Sequence, residues 1–248
     1  MNCRSDHNCS NCSIHRVHRS VWRSLKPQAA FTKNAKAFSE RSVLQKRGNP
    51  MPRRKSYIKQ LNARDQKILS AFYCCQHLSQ QQITSIVTKN RLKSYIKQGI
   101  VVKQNYIPKH VGDSAHPVYA LTKSGRQYIR CHISKMRNTA PYHSSSAPAH
   151  NIRLSEIYLS ETKNENAQWL TERDLQQLFL DTIQGREDER ELLDALRTHT
   201  LSPPDGAVLC NGEVTLIEIV SVNYSQEEIS AKQTYSDYMS MPIEFYRV

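Results

Sequence analysis

Between Asn90 and Ile129 the chain reads NRLKSYIKQGIVVKQNYIPKHVGDSAHPVYALTKSGRQYI, and few folds accept that order of signals. Leu92 and Ile96 lie one turn apart, so a helix over about Asn90 to Gln98 would turn both inward. Gly99 follows where a helix needs a left-handed residue to stop. Ile100-Val101-Val102 is β-branched and predicts a strand. A polar loop with Pro108, Gly112, Asp113 and Pro117 leads to a second strand, Val118 to Leu121. Thr122 can then cap a helix through Gln127-Tyr128-Ile129. Upstream, Asn62 precedes Ile68, Leu69, Phe72 and Tyr73 at helical spacing. Ser79-Gln80-Gln81-Gln82 is a capping box before Ile83, Ile86 and Val87.

Three helices, a strand, a loop and a strand resemble the winged helix-turn-helix families. The likeness rests on the Leu-bearing third helix, the Gly, the apolar strand and the Tyr119-Ala120-Leu121-Thr122-Lys123-Ser124-Gly125 turn into a helix. It implies a duplex-DNA-binding module over 56–137.

Charge points the same way. Residues 1–60 carry 14 Lys and Arg against 2 Asp and Glu, and residues 61–150 carry 13 against 2. Residues 151–248 reverse the balance, with 8 against 18, within a net charge of +13. A basic front can neutralise phosphates and release counterions. On the third helix Arg91, Lys93, Ser94, Lys97 and Gln98 lie off the Leu92/Ile96 stripe, where a helix in the major groove reaches base edges. Lys103 and Lys109, at the strands and loop that follow, suit phosphate contacts.

Residues 1–55 are rich in Arg, Lys, Ser and Asn and show no apolar period, which predicts a basic extension without a core. Met51-Pro52-Arg53-Arg54-Lys55 resembles a protein start within it. Cys9, Cys12, His15 and His18 are zinc-ligand types, but their spacing is too short for a finger and no apolar core surrounds them. The Ser-, Ala- and Pro-rich stretch 138–149 predicts a linker. The seven cysteines are an odd number with Cys74 and Cys75 adjacent, a poor disulfide framework. With no apolar leader and no run long enough to span a bilayer, a reducing cytoplasmic setting is expected.

Residues 150–248 alternate helix and strand signals. Ala207 to Cys210 and Val214 to Val222 flank Asn211-Gly212, a two-residue hairpin turn. Pro204-Asp205 opens the first strand and Glu218 lies inside the second. Two carboxylates so placed can converge on a hard dication such as Mg²⁺ or Mn²⁺, which activates water and steadies the leaving oxygen in phosphodiester cleavage.

The string PPDGAVLCNGEVTLIEIVSV resembles the restriction-endonuclease-like fold, whose motif is Pro-Asp, a spacer and Asp/Glu-x-Lys. Val220 stands where that family has its Lys, so the motif is degenerate. In some members the Lys moves to the next helix, and Lys232 is the only Lys there. The order His150, Trp169-Leu170-Thr171-Glu172, Pro204-Asp205-Gly206, Ile217-Glu218-Ile219 and the helix from Ser225 resembles two related groups, the replication-relaxation family and the MobC-type plasmid mobilisation relaxases.

The resemblance implies an α/β (α+β) chain: a winged helix-turn-helix, then a PD-(D/E)XK-type domain over 150–248. It implies binding to a plasmid transfer origin, nicking that needs Mg²⁺ or Mn²⁺ held by Asp205 and Glu218, a further acid at Glu172, and other mobilisation proteins as partners. His150 reads as a capping or site residue. Val220 favours a different reading, a non-catalytic origin-binding accessory or a replication or transcription regulator. A Walker loop, a dinucleotide fingerprint and a nucleophile elbow are all absent.

Overall fold

A computed structural model describes residues 57–107, 115–139, 141, 148–164 and 166–248. The extension expected over 1–55, Lys109, and most of the expected linker lie outside the described residues. The described residues form one compact unit of mixed α/β structure. No helix among the described residues is long and apolar enough to cross a membrane.

Helix α1 runs Ala63–Cys75 from a capping box in which Asn62 and Asp65 satisfy each other's backbone donors. Strand β1, His77–Ser79, leads into the short helix α2, Gln80–Thr84, which opens on the expected Ser79–Gln82 box. Helix α3, Lys89–Gln98, is capped by Thr88 and stopped by Gly99 at φ 75°. Its buried residues are Leu92 and Tyr95. Ile96, expected inside, is 37% exposed. The Tyr95 ring takes the inward position because its hydroxyl finds a buried acceptor, Asp65.

Strands β2, Val101–Tyr106, and β3, His116–Leu121, pair antiparallel, and β1 adds to the other edge of β3, giving the order β1-β3-β2. Three residues of β1 carried no period that could announce a strand. Helix α4, Lys123–His132, follows its Thr122 cap.

Helix α5, Pro148–Glu161, packs on α1 and β1. Then come β4 (Gln168–Thr171), α6 (Glu172–Ile183), α7 (Glu189–Arg197), β5 (Gly206–Cys210), β6 (Glu213–Val220), α8 (Gln226–Met239) and β7 (Ile243–Arg247). The second sheet has the order β4-β5-β6-β7, antiparallel except for β6 and β7. Asn211 and Gly212, at φ 53° and 88°, make the expected β5–β6 turn.

The two sheets share one apolar cluster. Phe72, Tyr73, Leu78 and Tyr95 belong to it, and so do Leu154, Tyr158, Trp169 and Ile219. The composition change near 138–149 therefore separates two sheets without separating two cores.

Candidate active site and nucleic-acid face

Asp205 sits just before β5, after Pro203-Pro204, and Glu218 lies within β6. Register brings them together: Gly206 pairs with Ile217, so the residues on either side face each other across the strands. The Asp205 N–H donates to Glu218 Oε2 at 2.9 Å, and the Ile219 N–H donates to Asp205 Oδ2 at 2.9 Å. Gly206 is required beside them, because a Cβ there would meet Trp169 Cζ2 at 2.6 Å. Glu218 is fully buried and Asp205 nearly so.

Three side chains from elsewhere complete the cluster. Lys232, on α8, brings its Nζ to 3.3 Å from Glu218 Oε1 and donates to Pro203 O at 2.7 Å. Lys232 thus sets an ammonium beside Glu218, where Val220 on β6 offers none. Tyr224, in the β6–α8 connection, donates a short hydrogen bond to Glu218 Oε1. His150, in the first turn of α5, sets its Nε2 at 3.0 Å from Asp205 Oδ2. Behind it, His150 Nδ1 is 3.2 Å from Asn151 Oδ1, and Asn151 Nδ2 is 2.8 Å from His77 Nδ1. Glu172 opens α6 one step beyond the Thr171–Gly206 pair, at the same end of the sheet as Asp205.

The electrostatics follow from burial. Loss of water pushes the Glu218 carboxyl up to about 7, and the charge of Asp205 adds to this against the pull of Lys232 and Tyr224. Burial works to lower the His150 imidazole, but the Asp205 carboxylate outweighs it and holds His150 above its ordinary range. Burial and Glu218 together raise the Tyr224 hydroxyl.

Among the described residues no group of three or more His, Cys, Asp or Glu side chains is placed to hold a metal ion. Mg²⁺, however, takes only one or two carboxylates and keeps several waters. Asp205 and Glu218 supply that number of hard oxygen donors. Glu218 is raised mainly by burial, and the Asp205 charge adds to this. The two carboxylates match such an ion in number and donor type, while both Glu218 oxygens already accept protein donors.

The α3 face differs from its expected form at one residue. Arg91 donates to both carboxylate oxygens of Asp65, at 2.8 and 2.5 Å, and to Gln60 O at 2.7 Å. Asp65 is fully buried and also accepts from Tyr95 Oη at 2.5 Å. Arg91 lies off the apolar stripe, yet its guanidinium neutralises a buried charge on α1. The Arg91 side chain stays 25% exposed beside that pair.

Lys93 and Lys97 are exposed, as is Lys103 on β2. Lys97 lies 5.6 Å from the centre of the Tyr57 ring. Gln98 accepts from the Tyr57 N–H through Oε1 at 2.8 Å, and Ser94 Oγ donates to Asn90 O at 3.1 Å. Sequence reasoning missed Tyr224, Asn151 and His77. Tyr224 follows Glu218 closely enough to have been noticed. Nothing local marks His77, which reaches the cluster only because β1 packs on α5. The chain matches no family model, no curated protein and no solved structure.

Proposed function

We propose that this chain binds duplex DNA at a plasmid transfer or replication origin and nicks it, with a winged helix-turn-helix in front and a PD-(D/E)XK-type site behind. The observation that carries the reading is the convergence of Asp205 just before β5, Glu218 on β6 and Lys232 on α8. Two buried carboxylates beside one ammonium are the groups that water attack on a phosphodiester needs. Arrangements that perturb a carboxyl so strongly concentrate at functional sites. The acidic charge of 151–248 would repel DNA without the basic front to hold it.

In this reading each group has a part. Lys232 favours the ionised form of Glu218 and sets a positive charge where an attacking water would lose its proton. His150 anchors Asp205, and the Asp205–Ile219 and Asp205–Glu218 backbone bonds fix the spacing of the two carboxylates. Mg²⁺ or Mn²⁺ held by Asp205 and Glu218 would supply the Lewis acidity that polarises the phosphoryl group. Lys93, Lys97 and Lys103 contact phosphates or base edges from α3 and β2. Other mobilisation proteins would assemble at the same origin.

A second reading, a non-catalytic origin-binding accessory, is favoured by one observation. Both Glu218 oxygens already accept protein donors, Tyr224 and the Asp205 N–H, and Lys232 stands against one of them. A supercoiled plasmid carrying the origin separates the two readings. Nicking that appears with Mg²⁺ and stops with chelator supports the enzyme. Origin binding with no nicking under any divalent cation supports the accessory.

A further inference from the structure

We propose that Asn151 and His77 are positioning residues that lock His150 against Asp205, so that a strand of the first sheet sets the geometry of the carboxylate pair in the second. The proposal rests on the nicking reading for its consequence but not for its geometry. Asn151 is fully buried and stands between the two imidazoles. Its amide has one fixed polarity. The nitrogen can only donate and the oxygen can only accept. His77 Nδ1 lies 2.8 Å from Asn151 Nδ2 and accepts from it. His150 Nδ1, 3.2 Å from Asn151 Oδ1, therefore donates.

His150 Nε2 lies 3.0 Å from Asp205 Oδ2. Asn151 thus holds the ring orientation that meets the carboxylate. Burial lowers the His77 imidazole, and a hydrogen bond with Gln104 on β2 opposes this only in part. The chain of contacts runs from β1 through α5 to the start of β5. Each member sits on a regular element rather than a loop, apart from Asp205 itself.

The test uses the full chain and reads the His150 ring directly. Two-bond ¹H–¹⁵N spectra, with His150 assigned by its loss in His150→Gln, report which ring nitrogens carry protons. Wild type should show one fixed pattern. His77→Leu should shift it toward a freely exchanging imidazole, whereas His77→Gln, whose carbonyl can accept from Asn151, should keep it. If His77→Leu folds poorly because Asn151 loses its acceptor, the His77→Leu/Asn151→Leu pair removes both polar groups and should give the same shift. Nicking by His77→Leu should fall about 10- to 100-fold in kcat with DNA affinity unchanged, the range seen when a supporting hydrogen bond to a ligand residue is lost. An unchanged His150 pattern in His77→Leu and in the double variant would overturn the proposal. Wild type that shows the fixed pattern but never nicks would count against the nicking reading and leave the relay standing.

Discussion

The Lys232 ammonium lies 3.3 Å from Glu218 Oε1, two residues along β6 from nothing more than a valine side chain at Val220. Glu218 is fully buried and Lys232 is 11% exposed. Removing one member of such a pair leaves a buried charge without its partner, at a cost of about 3 kcal/mol. Lys232→Met should lower the melting temperature and slow nicking. Residues 218 and 220 share one face of the strand, so Val220→Lys in the same chain should restore part of the nicking rate. Full activity in Lys232→Met alone would show that the ammonium plays no chemical part.

Arg91 offers a test on the other sheet's side. Arg91→Ala strands the buried Asp65 carboxylate, and the expected loss is about 3 kcal/mol of stability. Arg91→Lys should recover only part of it, since an ammonium cannot grip both oxygens. Burial pushes Asp65 up, but bonds from Arg91, Tyr95 and Asn62 outweigh it and hold the group below its ordinary value. Its stabilisation is therefore present above the ordinary carboxylate range and lost as pH falls through the lowered value. Urea unfolding of wild type and Arg91→Ala at neutral pH and near pH 3 checks both. The gap between them should narrow in acid.

Glu218 has the opposite sign. Its folded pKa is raised from 4.5 to about 7, so its contribution to stability is fully present below 4.5 and is lost as pH rises through 7. Glu218→Gln cannot ionise and escapes that loss. The melting temperature of Glu218→Gln relative to wild type should rise between about pH 5 and about pH 8. A constant difference across that range would mean that Glu218 titrates normally.

Lys93, Lys97 and Lys103 are exposed and free to reach DNA without disturbing the core. Changing all three to Ala should leave the melting temperature unchanged and weaken duplex binding. If each contacts one phosphate, the slope of log K against log salt should become shallower by about 0.9 per lysine. Unaltered binding would place the interface elsewhere.

Apart from β1, the order of helices and strands from Asn62 to Leu121 was legible because caps and Gly99 punctuate it. The β5–β6 hairpin was legible from Asn211-Gly212, and the meeting of Asp205 with Glu218 follows from that turn and a period of two. Ile96 and Tyr95 were exchanged because hydropathy ranks Ile above Tyr, while the structure gives Tyr95 a buried acceptor in Asp65. The pairing of Arg91 with Asp65 was not legible either. A buried acid 26 residues upstream leaves no local pattern. The single core joining the two sheets was equally hidden, since the composition of 138–149 reports on solvent exposure and not on what α5 packs against.

The most direct measurement is the relaxation of a supercoiled plasmid bearing the cognate origin, in Mg²⁺, by wild type and by the Asp205→Ala/Glu218→Ala double variant at equal DNA occupancy. The expected result is open-circular product from wild type, none from the double variant, and equal binding by both. Equal relaxation by the two proteins would contradict the assignment of chemistry to the carboxylate pair.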